Sequence, residues 1–203
     1  MILYLGIIVF AVFAIATTVS LIAGTAFFSV LGWTALATAT VMLMDGLTAT
    51  VCRLLPQSVA DPEKEFFQVS AKEKKFYEKL KIRRWKDKVP EIGQFTGFRK
   101  NKIDDPNSVE YLDRFLLEIS YGELGHIASC FTSYLILLLF PIYGLWFAVA
   151  IPVATVSMLM NLPSLFILRY TSYKLRILRK NNLKKQQNIA KAKEKMLADG
   201  SAE

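Results

Sequence analysis

The sequence predicts an all-α integral membrane protein with four transmembrane helices and a helical cytoplasmic segment between the second and third. Three observations carry that prediction. Residues 1–44 and 127–168 contain no Asp, Glu, Lys, Arg or His. At 1.5 Å of rise per residue these runs extend about 66 and 63 Å as helix, and a hydrocarbon core is about 30 Å thick, so each holds two crossings. All 25 Lys and Arg residues lie outside the two runs, fifteen of them between Arg53 and Arg114 and ten from Arg169 onward. Basic residues beside spans mark the cytoplasmic side, so both basic segments are expected there, and with them both termini. A soluble globular domain, a secreted disulfide scaffold and a disordered chain are excluded.

The first transmembrane hairpin is expected over residues 1–53, turning near Gly24-Thr25. A signal peptide is the rival reading of residues 1–23, but Met1-Ile2-Leu3-Tyr4 carries no positive charge and the apolar stretch is too long. Cys52 and Cys130 fall at the reducing cytoplasmic ends of their helices, so no disulfide is expected.

Residues 54–123 form the cytoplasmic or interfacial segment. From Ser70 to Leu80 the pattern is helical, with Phe76, Tyr77 and Leu80 on one face. Ile82, Trp85 and Val89 fall almost opposite that face, so a break is expected near Lys81. Trp85, set among Arg83, Arg84, Lys86 and Lys88, suits a headgroup-level anchor. Arg84, Trp85, Lys86 and Lys88 are therefore candidates for binding an anionic lipid headgroup or a phosphate-bearing donor; a solvated juxtamembrane face is the plainer reading. Pro90, Gly93, Gly97 and Asn101 mark loop. Asp105-Pro106-Asn107-Ser108 then supplies caps and an N1 proline for the next helix, with capping-box spacing from Asn107 to Glu110. Val109, Leu112, Phe115, Leu116 and Ile119 form its apolar stripe, which, continued, meets Glu123 and His126.

The second transmembrane hairpin is expected over residues 124–168, turning near Pro141-Ile142-Tyr143-Gly144. Residues 169–203 read as a basic cytoplasmic tail with net charge +7, ten basic residues against three acidic, helical from Tyr173 to Leu197.

Polar groups inside the apolar runs carry the functional argument. Asp45 lies eight residues before Arg53, and Asn161 eight before Arg169, each about 12 Å inside the cytoplasmic end. Aspartate at mid-helix costs about 2.5–3.5 kcal/mol on insertion, so it is expected to face the bundle interior with a partner. Asp45, Glu123, His126 and Asn161 are therefore predicted to converge near the cytoplasmic leaflet. Such a cluster suits general base catalysis, with His126 as base and Glu123 or Asp45 orienting it. Glu-x-x-His is also a metal-ligand pair, but carboxylate di-metal sites use two such motifs and this chain has one histidine, so no metal is expected. Polar glue between helices is the structural alternative.

Three segments resemble one family. They are the run from Phe76 through Trp85-Lys86-Asp87-Lys88-Val89-Pro90, then Arg114…Glu118 followed by Glu123-Leu124-Gly125-His126, then Asn161-Leu162-Pro163 with Arg169-Tyr170. In this order the chain resembles the glycosyl-diaponeurosporenoate acyltransferases, small membrane proteins of Gram-positive bacteria, over roughly residues 66–175. The resemblance implies a bacterial cell-membrane enzyme that moves a fatty acyl chain onto a sugar hydroxyl of a glycolipid or glycosylated carotenoid. It implies an acyl thioester as co-substrate, with no bound cofactor. It adds Arg114, Glu118, Arg169 and Tyr170 as substrate-binding candidates; the sequence assigns no oxyanion donor, and Asn161 is a guess for that role. Leu168 and Thr171-Ser172 depart from the family pattern, which implies a polar residue and an Asn-Arg pair there. The expected partners are a membrane lipid or glycolipid and anionic headgroups, with no nucleic acid. Two alternatives stay open: a non-catalytic lipid-binding or assembly protein, and a metal-assisted lipid-processing enzyme.

Overall fold

A computed structural model describes residues 2–89, 103–139 and 143–200, with side chains for 4–89, 103–139 and 143–194. The loop expected at Pro90–Asn101 and the Pro141-Ile142 part of the second turn lie outside the described residues. The described chain is all helical. Helices α1 (Ile2–Ala23) and α2 (Phe27–Leu54) form the first hairpin, closed by Gly24 at φ +62°. The left-handed region favours glycine, so the turn falls where the sequence places it. Two short helices follow, α3 (Ala71–Lys79) and α4 (Ile82–Trp85); then come α5 (Val109–Thr132) and α6 (Trp146–Gly200).

Four spans were expected, and among the described residues three helices are long and apolar enough to cross a membrane: Tyr4–Ala23, Phe27–Leu54 and Trp146–Glu194. The expected third span is the exception for a local reason. Its helix begins at Val109 and carries Asp113, Arg114, Glu118 and Glu123, and its apolar continuation, Ser133–Leu138, winds as a 3-10 helix. The basic tail is also not a separate helix. α6 continues without interruption past Arg169, and its Leu175 packs against Leu112, Phe115 and Leu116 of α5.

Small residues bring the long helices together. Ala16, Val30, Ala37, Val149, Ala150 and Ala154 are buried between α1, α2 and α6, where short side chains permit close backbone approach. Phe10, Leu21, Ile22 and Phe28 are exposed by three-quarters or more, which suits a surface solvated by lipid. At the end of the bundle away from α3, Trp33 stacks on Tyr143 with centroids 4.6 Å apart. The Trp146 indole N–H donates to the Ile136 carbonyl at 3.1 Å, giving aromatic rings with polar tips at one level.

α3 starts at Ser70, whose hydroxyl accepts from the Glu73 amide at 3.1 Å. The break expected near Lys81 is present: Lys81 takes left-handed dihedrals, φ 52° and ψ 39°. Its consequence is packing. The reversal lets Tyr77 and Ile82, on opposite faces of a continuous helix, both bury against Ile167 and Tyr170 of α6. The start of α5 differs from expectation. Ser108 is the N-cap, accepting from the Tyr111 amide at 3.1 Å, while Asp105 accepts from the amides of Asn107 and Ser108. Pro106 thus sits in an Asx-type turn two residues before the cap, not at the first helical position.

Left-handed dihedrals cost a non-glycine residue about 1–2 kcal/mol, more than glycine's extra chain entropy of about 0.5–1 kcal/mol. Lys81→Gly is therefore expected to raise the melting temperature in detergent, and Lys81→Val to lower it. A lower melting temperature for the glycine variant contradicts this account of the break.

Candidate functional site

A cavity of about 560 Å³ lies between α1, α2, α5 and α6. Arg53, Glu118 and Tyr121 line one end of it, Asp45, His126 and Asn161 its middle, and mostly apolar residues near Ile15, Thr38 and Val153 the other end. From Thr38 to Arg53 along α2 the cavity extends about 22 Å. Gly46, Ala49, Gly122 and Gly125 line it, and their lack of bulk leaves the space open. A Cβ on Gly122 would approach Leu168 Cδ1 to 3.0 Å, so that glycine is also held by packing.

Asp45, His126 and Asn161 meet in the wall of this cavity. His126 Nδ1 lies 2.8 Å from Asn161 Oδ1. The Asn161 amide donates to the Ser157 carbonyl at 3.1 Å and to Asp45 Oδ2 at 3.4 Å. Those two partners only accept, so the NH2 must face them and the oxygen must face histidine. In a neutral imidazole that oxygen pairs with a protonated Nδ1, and Nε2 is then the basic nitrogen. Asp45 also accepts from the Ser157 hydroxyl at 2.8 Å and from the Ser133 hydroxyl at 3.2 Å. Asn161 was a guess for the oxyanion donor; its amide hydrogens are already engaged, and its geometry is that of an orienting group.

Glu123 does not join this cluster. It meets α6 eight residues further along, where Oε2 accepts from Arg169 Nη1 at 2.9 Å. Arg169 also pairs with Glu73 of α3, at 3.0 Å from Nη2 to Oε2, and donates to the carbonyls of Phe66 and Gln68. Tyr77 donates to the same Glu73 carboxylate. The sequence therefore foresaw one cluster of four, and the structure has two, set eight residues apart along α6 at Asn161 and Arg169, about 12 Å. Burial pushes the Glu123 carboxyl up to about 7, against the pull of Arg169. For Glu73 burial acts upward too, but hydrogen bonds from Arg169 and Tyr77 outweigh it and hold the carboxyl below its ordinary range. Burial and the adjacent Glu73 carboxylate push the Tyr77 phenol up.

Of the substrate-binding candidates, only Glu118 lines the cavity, paired with Arg53 at 3.4 Å. Arg84, Lys88 and Arg114 are exposed, and Lys86 pairs with Asp87 at 3.0 Å. The Trp85 indole N–H donates to the Leu80 carbonyl at 2.9 Å, and its ring lies beside residues of α1 and α6. Tyr170 is buried on the Tyr77 side, with Lys174 Nζ 4.3 Å from its ring centroid. Arg53, Tyr121, Ser133 and Ser157 were not foreseen. A signal existed for two of them: Ser157 precedes Asn161 by one turn, and Arg53 follows Asp45 by two turns along a stripe of small residues. Among the described residues no group of three or more His, Cys, Asp and Glu side chains is placed to hold a metal; Glu123 is engaged by Arg169 and His126 by Asn161.

A family model for glycosyl-4,4'-diaponeurosporenoate acyltransferase matches residues 62–181, more than half of the chain. The chain belongs to the glycosyl-4,4'-diaponeurosporenoate acyltransferase family. No curated protein and no solved structure matches it. The matched stretch holds both sides of the glutamate–arginine cluster and, from the cavity, His126, Ser157 and Asn161. Asp45 and Arg53 lie outside it, so in this acyltransferase family member the carboxylate that holds Asn161 and the cation of the cavity come from the first hairpin.

Removing one partner of a buried ion pair typically costs about 3–5 kcal/mol, because the other charge is left uncompensated. Arg169→Met is expected to destabilise the protein by that order. Adding Glu123→Gln to it is expected to recover part of the loss. Thermal melting of the two single variants and the double variant checks this; strict additivity would mean that Arg169 and Glu123 are not coupled.

Proposed function

We propose that this protein transfers a fatty acyl chain from a thioester onto a sugar hydroxyl of a glycosylated carotenoid or related glycolipid, with His126 as general base. The observation that carries the proposal is the Asp45–Asn161–His126 relay, opening into a cavity that is polar at one end and apolar at the other. Family membership supports the reaction class.

His126 Nε2 takes the proton of the sugar hydroxyl as its oxygen attacks the thioester carbonyl carbon. The C–S bond then breaks, and His126 gives the proton to the departing sulfur, so that an ester and a thiol form and the imidazole is neutral again. Asn161 holds the imidazole in the tautomer this requires, and Asp45 holds the amide of Asn161. Ser133 and Ser157 supply donors to the Asp45 carboxylate, and burial in an apolar wall strengthens each link. Arg53 at the mouth meets phosphate of the donor, while the acyl chain occupies the apolar end toward Ile15, Thr38 and Val153. In this reading the second hairpin, from residue 124 through 168, is the remaining membrane pair, both termini face the cytoplasm, and thioester arrives from that side. The basic face about Arg84 and Lys88 meets anionic headgroups, each cation contributing about 1 kcal/mol near such a surface.

The test is turnover in nanodiscs with an acyl thioester and a glycolipid acceptor. A positioned general base contributes roughly 10²–10⁴-fold, so His126→Ala is expected to lose that much in kcat while its melting temperature holds. Asn161→Ala is expected to lose activity in the same direction. Turnover by His126→Ala within about twofold of wild type would remove the base from the mechanism. Loss of folding in both variants without a catalytic defect in the folded fraction would favour a helix-packing role for the cluster.

A further inference from the structure

A second cavity, of about 730 Å³, lies on the outer side of the bundle between α1, α6 and the Trp85–Val89 turn. Every residue lining it is apolar or aromatic. It is not a packing defect in a core, because its walls include Phe10 and Leu159, which are exposed by 75% and 54%. It is a groove open along the side of the bundle. Along α1 it runs from Tyr4 to Ile15, about 16 Å, which is half the thickness of a hydrocarbon core. One end is closed by Trp85, whose neighbours Arg84 and Lys88 are exposed cations.

The groove and the catalytic cavity are neighbours. Tyr4, Ala11, Ile15, Val156 and Met160 line both, so the wall between them is one layer of side chains. Met160 is next to Asn161 in sequence, and an unbranched methionine is the side chain best able to yield as a ligand passes. Transfer between two amphiphiles requires two places for apolar tails and one polar point where the heads meet. The cavity supplies one tail site and the relay; a separate groove at the same level supplies the other.

We infer that this groove holds the long apolar tail of the membrane-resident acceptor, while the cavity holds the donor's acyl chain. The inference rests on the acyl-transfer reading above and deepens it by assigning the two substrates to two sites. The assignment follows from access. A thioester donor comes from water and meets the polar mouth at Arg53, Glu118 and Tyr121. A glycosylated carotenoid never leaves the hydrocarbon, and the groove opens sideways into it. Its sugar passes over Tyr4 and Met160 to reach His126.

The test combines a binding readout with a kinetic one, on the full chain in nanodiscs. A glycolipid carrying a diazirine in its tail is photo-crosslinked to the wild-type protein and the labelled residues are mapped by mass spectrometry. Labels are expected on α1 between Ile7 and Ala14 and on α6 near Leu159, displaced by unlabelled glycolipid but not by excess bulk phospholipid. Equal displacement by phospholipid would mean that the groove holds ordinary boundary lipid only. Labels confined to the inner cavity would also overturn the assignment. In kinetics, Ala14→Trp fills the groove without touching the relay. It is expected to raise KM for the long-tailed acceptor by about tenfold or more, leaving a short-chain alkyl glycoside unaffected. Ala35→Trp, exposed on α2 and outside both cavities, is expected to change neither. An unchanged KM for the long-tailed acceptor in Ala14→Trp would overturn the assignment. Should wild type acylate neither acceptor, the acyl-transfer reading fails, and the crosslinking still reports whether the groove selects a glycolipid tail.

Discussion

A carboxylate set among apolar helices is stabilised by the donors placed around it. Asp45 gathers its donors from separate parts of the chain: Ser133 at the end of the α5 rod, and Ser157 and Asn161 on α6. Gathering them aligns three elements at one depth. It also decides the orientation of the Asn161 amide, and through it the hydrogen bond to His126. The hydrogen bonds that satisfy one carboxylate thereby orient the Asn161 amide against the imidazole at the edge of a cavity. Small residues around it, Gly46, Ala49, Gly122 and Gly125, keep that cavity unfilled.

A second polar knot does a different task a few residues away. Arg169 leaves the apolar part of α6 and ties Glu123 of α5, Glu73 of α3 and two carbonyls of the preceding loop to one guanidinium. Five donors in a rigid planar fork make arginine suited to such multiple pairing. The segment carrying α3 and α4 is short and charged, and has little core of its own. It is fastened by this knot and by Tyr77 and Ile82 inserting against Ile167 and Tyr170. The left-handed Lys81 is what lets both side chains reach the same surface. Trp85, carried on that segment, then closes one end of the lateral groove.

Much of this was legible along the chain, each time because the controlling physics is local or one-dimensional. Two uncharged runs gave the apolar helices, a glycine gave the first turn, and a phase change in the apolar pattern located the reversal at Lys81. Asp45 and Asn161 stood out because their depth beneath a basic residue can be counted. The boundaries were less legible. Ser108 rather than Asn107 caps α5, since Asp105 occupies the neighbouring amides, and the choice among several capping residues is made by the turn that precedes them. The uninterrupted α6 was hidden for a related reason: composition changes abruptly at Arg169, but nothing there breaks a helix.

What the sequence by itself determined is the all-α class, the apolar helices, and the presence of a histidine, an aspartate and an asparagine at a common level. Tertiary structure alone decided their company. Glu123 and His126, three residues apart, point about 60° from each other around α5, and only the neighbours of each side tell which is buried with Arg169 and which faces the cavity. Periodicity places a side chain on a face of its helix, but what lies against that face depends on how the other helices rotate and tilt to bury their own polar groups.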